Sequence, residues 1–321
     1  MTARRCIALR GMLMIMSEHP AGEKLPHSAE FFNDMRDFWW NPDFLRLMGE
    51  RLGFASITNV LDVGCGVGHW GRALAQVLPT AARMTGVDQE AQWVGSAALQ
   101  ADRAGLADRF TFTQGDATAL PFADGTFDMA TCQTVLIHLA DPKAALKEMM
   151  RVTKPGGLVL AVEPCNMASM GVFSSVTDLF PTDVVAAMLG FHLTLQRGKR
   201  ALGKGFNSLG DLVLGLMAEL GARDIRVYMS DRATPMFPPY DQPHQRAELA
   251  QFKDWHARGH WVWDRATTMQ YYVAGGGGEH NFEHLWQQAG HQLGAEIAAM
   301  EAGTYHCGNP HITYLVSGRT G

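Results

Sequence analysis

From about residue 58 to residue 163, short apolar runs alternate with stretches of helical periodicity. Runs at about 59–63, 83–88, 109–113, 127–132 and 157–163 read as strands covered on both faces. Stretches at about 69–78, 90–104 and 141–152 place apolar residues on one side of a helix. This alternation predicts a parallel sheet with right-handed crossovers. Upstream, Ser28 is positioned to cap a helix through Phe31, Phe32, Met35, Phe38 and Trp39. Asn41 is positioned to cap a second one, with Pro42 in its first turn and Phe44, Leu45, Met48 and Leu52 on its apolar face.

Downstream of Val162 the alternation loosens. Ser169–Leu195 keeps helical spacing, whereas Gly198-Lys199-Arg200 and Gly203-Lys204-Gly205 read as a basic, flexible link. Ser208–Leu220 returns to a core helix stopped by Gly221, and Ile225–Met229 reads as a sixth strand. The prolines of Pro235–Pro243 exclude both a helix interior and a central strand. Helices at about 244–258, 262–274 and 281–302 follow, with Gly275–Gly278 as a joint, and His311–Ser317 is a final strand. The glycine joints on either side of these helices predict a cap that closes over the core.

Chemistry concentrates where the first strand ends. Val60-Leu61-Asp62-Val63 runs into Gly64-Cys65-Gly66-Val67-Gly68, and a helix begins at once. Glycines permit φ > 0 and close approach of a ligand, and free N–H groups at a helix start favour an electron-rich group. The string Gly66-Val67-Gly68-His69-Trp70-Gly71 also fits a dinucleotide fingerprint, so the glycines alone do not choose the ligand. The acids around them do. Asp62, inside the strand, suits an ammonium group better than a pyrophosphate. Asp88 ends the second strand about 20 residues on, where a carboxylate suits ribose hydroxyls. Gly115-Asp116-Ala117 closes the third strand. An amino group, a ribose and an adenine, with no required phosphate, describe S-adenosylmethionine.

These residues resemble the class I S-adenosylmethionine-dependent methyltransferases over roughly residues 55–165. Asp62–Gly68 looks like their motif I, Asp88 their motif II acid and Gly115-Asp116-Ala117 their third motif. Phe127–Cys132 with Leu136-Ile137-His138-Leu139 is similar to motif IV and its sequel, and Arg151-Val152-Thr153-Lys154-Pro155-Gly156-Gly157 to a turn of the type 11 subgroup, which includes quinone-biosynthesis methyltransferases. The resemblance implies a Rossmann-like doubly wound α/β sheet of seven strands. Its last strand is antiparallel between the fifth and sixth, and insertions build a mostly helical cap. It implies that Asp62 faces the methionine ammonium and that Gly64, Cys65 and Gly66 pass under the methionine portion. It assigns Asp88 to the ribose, Gln89 to the side of the adenine, and Asp116 and Ala117 to its amino group and ring. Cys132 and Gln133 would line the methionine moiety. His138 is read as a cofactor-pocket wall, with a general base as its competing role. Trp39, Trp40, Tyr271 and Tyr272 are candidate substrate contacts, each with core packing as its plainer role.

The expected division is a tail at 1–27, a cofactor core with lid helices at 28–165, cap insertions at 166–204 and 233–308, and core segments at 205–232 and 309–321. Of 321 residues 47% are hydrophobic and 18% charged, an ordinary globular composition. A net charge of −5 without a basic run argues against nucleic acid as substrate. The N-terminal apolar stretch Cys6–Met16 is too short to span a bilayer and is broken by Arg10, so no membrane insertion is expected. Five cysteines, none in a C-x-x-C pair, fit a reduced cytoplasmic protein. The histidines at 256, 260, 280 and 284 fall into i,i+4 pairs but share no short metal signature, and no metal is assigned. The expected partner is a small-molecule substrate, with a homodimer left open. A nicotinamide-dependent oxidoreductase and a non-catalytic S-adenosylmethionine-binding regulator are the competing functions.

Overall fold

Seven short strands carry the architecture: β1 (Asn59–Val63), β2 (Arg83–Asp88), β3 (Phe110–Gln114), β4 (Phe127–Gln133), β5 (Thr153–Pro164), β6 (Arg223–Met229) and β7 (Thr313–Arg319). In this computed structural model, which describes residues 36, 38–259 and 263–321, they form one sheet in the order β3-β2-β1-β4-β5-β7-β6. The tail and the helix expected around Phe31, Phe32 and Met35 lie outside the described residues. All strands run parallel except β7, which is antiparallel to both β5 and β6. The strand order reverses between β1 and β4. In such sheets the crevice beyond the carboxyl ends of these strands is where ligands sit.

Alternation along each strand feeds two cores. Val60, Met84, Met129, Leu158, Leu160 and Val162 pack on one face, against α1 (Pro42–Leu52) and α2 (His69–Leu74). Leu61, Val63, Ala130, Val159 and Ala161 pack on the other. There they meet Leu146 and Met149 of α4 (Pro142–Val152), while α3 (Ala91–Arg103) follows β2. Residues Phe44, Leu45, Met48 and Leu52 of α1 are buried as expected, but Asn41 does not cap it. Its amide instead donates to Asp231 at 3.0 Å, tying the helix start to the chain leaving β6.

The strand β5 begins earlier than its apolar run. The segment Thr153–Gly157 is already extended, with a register shift against β4 between Phe127 and Met129. Asp128 anchors this end of the sheet. One of its oxygens accepts from Thr58 N (2.9 Å), Thr58 Oγ1 (2.8 Å) and Asn59 N (2.9 Å), and the other from Lys154 Nζ (2.6 Å). Burial alone would raise its carboxyl. The Lys154 charge and the Thr58 and Asn59 bonds outweigh burial and hold it well below the usual range.

At the opposite end of β5 stands Glu163, fully buried. Its carboxyl accepts main-chain N–H bonds from Val135 and Leu136 at 2.9 Å each and from Ile137 at 3.4 Å. It thereby holds the 3₁₀ turn Leu136–His138 that follows β4. Lys199 closes the same turn from outside, donating to Ile137 O at 3.1 Å and to Asn207 Oδ1.

The cap is built from α5 (Thr182–Ala201), α7 (Pro243–Ala257), α8 (Arg265–Ala274) and α9 (Glu279–Glu301), with α6 (Val213–Glu219) returning to the core between them. Here the structure corrects the expected flexible link. Gly198, Lys199 and Arg200 lie inside α5, and Lys199 is buried. A methyl group on Gly198 would stand 1.6 Å from Tyr271 O, and one on Gly275 would stand 2.0 Å from Thr194 O. These glycines let α5 and α8 touch backbone to backbone. Tyr271 and Tyr272 are likewise corrected. Both are buried in the cap's own core with Phe191, Leu195 and Phe282, with Tyr271 edge-on to Trp263 at 5.2 Å.

Two expectations follow. Gly198→Ala should force the helices apart and destabilise the fold by about 1–3 kcal/mol. Gly190→Ala on the same helix, which meets open space, should be neutral or slightly stabilising, and thermal melts of both variants check the contrast. Glu163→Ala strands three buried N–H groups and should cost about 3 kcal/mol. Glu163→Gln, which can still accept, should cost less. Burial lifts the Glu163 carboxyl to about 7 in the folded state, above its ordinary 4.5. The folded chain then binds the proton more tightly than the unfolded one. This group's contribution is greatest below pH 4.5 and falls as pH rises through about 7. Urea titrations at pH 5 and pH 8 should show the wild type losing ground to Glu163→Gln, and equal changes in the two would refute the assignment.

Candidate active site

Three left-handed glycines shape the loop after β1: Gly64 at φ 65°, Gly66 at 51° and Gly68 at 78°. At Gly64 a side chain would also stand 2.5 Å from Val135 of the β4 loop, so the two loops close on each other without room for a Cβ. Cys65 N bonds Val87 O at 3.0 Å, and Gly68 N bonds Cys65 O at 2.8 Å. The Cys65 side chain is buried, burial holds its thiol protonated, and its Sγ donates to Gly66 O at 3.7 Å within the loop.

Asp88 fixes this loop from the neighbouring strand. Its Oδ2 accepts from Gly66 N at 2.8 Å and its Oδ1 from Glu90 N at 3.0 Å. Burial raises its carboxyl, while the bonds from Glu90 and Gly66 pull it back. Gln89 next to it is exposed, and its carbonyl accepts from Gln114 Nε2 at 2.8 Å. Asp116 is exposed beyond β3, its Oδ1 taking Thr118 N and Oγ1 at 2.8 Å each, bonds that lower its carboxyl. Ala117 is half-buried against the core on the Leu61 face. Asp88, Gln89, Asp116 and Ala117 thus share the carboxyl end of β2 and β3.

Asp62 is the unusual group. It is 2% exposed inside β1, and burial pushes its carboxyl up to about 8. The Gly71 N–H draws it down, and the Asp88 charge adds to the rise. Its Oδ1 is buried with no hydrogen-bond partner. A buried carboxyl left half satisfied in this way suits a cation bonded at that oxygen. The rest of the surface fits an amino acid and nucleoside: a glycine loop with N–H groups, then acids at the ends of the next two strands. The residues present therefore fit S-adenosylmethionine.

Beside Asp62, Trp70 of α2 donates Nε1 to Thr131 Oγ1 at 2.9 Å, and Trp40 lies against Trp70 at 5.0 Å. Trp40 thus packs on the core. Trp39 instead lies near two guanidinium groups, with Arg36 4.7 Å and Arg232 5.4 Å from its ring. Gln133 ends β4 on the Asp62 face, 8% exposed. Cys132 does not join it. The period of two turns it to the opposite face, where it is fully buried with Sγ 3.7 Å from Glu163 Oε1. His138 is exposed at the end of the 3₁₀ turn. The sequence reading missed Glu163, Arg232 and Glu248. Only Glu163 left a trace, as an acid closing the apolar run Leu158–Val162. Among the described residues no cluster of three or more His, Cys, Asp or Glu side chains is placed to hold a metal, and no helix is long and apolar enough to cross a membrane.

Comparison with known proteins points to the same region. Residues 61–161 match the model of a methyltransferase domain family. The sterol 24-C-methyltransferase ERG6B of Gibberella zeae is 35% identical over 111 residues, 35% of this chain and 29% of that protein. The demethylmenaquinone methyltransferase of Staphylococcus aureus is 33% identical over 141 residues, 44% of this chain and 55% of that protein. The chain thus spans 29% and 55% of the lengths of these two curated relatives. Among solved structures, the YcgJ protein of Bacillus subtilis superposes over 87% of this chain and 99% of its own, with a TM-score of 0.47 and 20% identity. The match covers the strands and loops that bear Asp62, Asp88 and Asp116, so residues 61–161, the part of the chain built around the glycine loop, are similar to a methyltransferase domain.

Proposed function

We propose that the chain binds S-adenosylmethionine over Gly64–Gly68 and directs its methyl group, by in-line displacement, to a small-molecule acceptor under the cap. The observation that carries this reading is the buried Asp62 carboxyl with an unpartnered oxygen. A charged amino group at that oxygen supplies the missing bond and draws Asp62 into its ionised form. A pyrophosphate beside it would add repulsion instead, which disfavours the nicotinamide alternative.

In this reading Asp88 takes the ribose hydroxyls, and Gln89, Asp116 and Ala117 border the adenine. Gln133 and the main chain of Gly64, Cys65 and Gly66 border the methionine portion. Cys132 has no place in it. The bound sulfonium supplies an activated methyl group. The chain's own residues have only to bind, orient and exclude water, and no strong base is required. His138 is assigned to the pocket wall. The cap segments 166–204 and 233–308 select the acceptor. The relatives' names, a sterol and a demethylmenaquinone, are consistent with a small acceptor.

Two measurements test this. At pH 7 the free Asp62 carboxyl, at about 8, is mostly protonated. An incoming ammonium lowers it, so binding should release about one proton. Calorimetry with S-adenosylhomocysteine in buffers of different ionisation enthalpy reads that proton directly. Asp62→Asn should abolish the release, and a wild type without any release would overturn the assignment. Asp88→Ala should weaken S-adenosylhomocysteine binding by roughly 10-fold or more, since charge-assisted hydrogen bonds are worth about 1.5–3 kcal/mol. Unchanged affinity in a folded variant would remove Asp88 from the site.

A further inference from the structure

Folded chains keep few buried polar atoms without a partner. Among the described residues such side-chain atoms belong to Trp40, Asp62, Arg232, Glu248 and Gln288. The cofactor reading accounts for Asp62. It does not account for Trp40, Arg232 or Glu248, and contacts join these three to the glycine loop.

Arg232 leaves the end of β6 at Met229. Since β6 runs parallel to β1, this end lies at the same edge of the sheet as Gly64–Gly68. Asp231 accepts from Asn41, the neighbour of Trp40, and Trp40 packs on Trp70 in the first turn of α2. An unbroken line of contacts therefore runs from the glycine loop to Arg232. On its other side stands a closed polar set. Glu248 Oε1 accepts from Asn309 Nδ2 at 2.6 Å, Asn309 Nδ2 reaches Thr234 Oγ1 at 3.0 Å, and Thr234 Oγ1 meets His311 Nε2 at 3.1 Å. That set satisfies Glu248 Oε1 and leaves Oε2 bare.

The chemistry of the gap is specific. Arg232 is 8% exposed, and the atoms without partners are Nε and Nη2. These form one edge of the guanidinium, the fork that matches the two oxygens of a carboxylate. Glu248, 7% exposed, is near enough for its charge and that of Arg232 to act on each other. Burial lifts the Glu248 carboxyl to about 7, and burial with the Arg232 charge keeps His311 neutral, at about 3. Arg232 therefore presents two charged N–H donors with no acceptor of their own. An anion is the missing partner.

We infer that Arg232 and Glu248 form an acceptor subsite for a molecule bearing a carboxylate, held by the Nε–Nη2 edge of Arg232. A hydroxyl or amine hydrogen of the same molecule is held by Glu248 Oε2. Its apolar or aromatic body lies beside Trp39 and Trp40. That the bound molecule is a methyl acceptor rests on the proposed function; that an anion binds here does not.

The probes are 4-hydroxyphenylacetate and its amide, titrated by ligand-observed NMR into the full chain with and without S-adenosylhomocysteine. The acid should bind about tenfold or more tightly than the amide. Arg232→Gln should abolish that preference while S-adenosylhomocysteine affinity stays within about twofold, the cofactor loop being untouched. Arg232→Lys keeps the charge without the fork and should fall between. Equal binding of acid and amide by the wild type, no binding of the acid, or a preference that survives in Arg232→Gln overturns the inference. A crystal soaked with the acid gives an answer independent of any variant's folding. Carboxylate density on Nε and Nη2 of Arg232 supports the subsite, and density elsewhere refutes it. Failure of the wild type to bind S-adenosylhomocysteine would count against the cofactor reading alone, because the acid-over-amide preference is also read without it.

Discussion

The site depends on a carboxylate at the end of one strand holding the loop that leaves the strand beside it. Asp88 at the end of β2 accepts Gly66 N and fixes the β1 loop. Glu163 near the end of β5 accepts Val135, Leu136 and Ile137 N and fixes the β4 loop. These two loops flank the reversal of strand order, and Gly64 brings them together against Val135. The sheet itself is held by apolar burial, which has no direction. Loops that must present N–H groups to a ligand cannot rely on it, so acids aimed at main-chain donors give them one geometry. The cost is burial of charge, visible in the raised carboxyls of Asp88 and Glu163.

This scheme explains what was legible in the sequence. A strand, its glycine loop and its helix are local, so β1–β4, the loop and α1–α4 follow from apolar period and turn chemistry. Asp62, Asp88 and Asp116 were legible because their position relative to a strand end fixes where they stand. What could not be read was long-range or depended on the partner. Glu163 acts on residues of the β4 loop, and nothing local in an acid after Val162 says so. Gly198 reads as part of a flexible link, because its reason for being glycine is Tyr271 O in another helix. The aromatic pair Tyr271 and Tyr272 reads equally as pocket wall or core until α5 and α9 are seen to cover it. Cys132 was misplaced by one step of the strand period, which is enough to turn a side chain to the other face. Arg232 and Glu248 look like ordinary surface charges in sequence.

The same contacts decide how cap and core are joined. A hinge around residues 198–205 would require that segment to move independently of the core, and the structure shows the opposite. Lys199 is buried, with its ammonium on Ile137 O, and burial lowers it to about 8 although the Glu163 charge favours its charged form. Gly205, at φ 85°, passes so close to Ile137 O that a methyl group there would stand 2.2 Å away. Gln196 Oε1 accepts Asn207 N at 3.0 Å, closing the segment on itself. The end of α5 is therefore bolted to the turn that Glu163 holds from the other side. Displacing it would strip Ile137 O and Asn207 Oδ1 of their donor and expose a lysine that has already given up most of its water. The other cap segment is held differently: where α7 and the chain before β7 meet, Asn309 donates to Glu248 at 2.6 Å. There the buried polar atoms still lack partners, and a ligand contributes bonds that the free chain does not have.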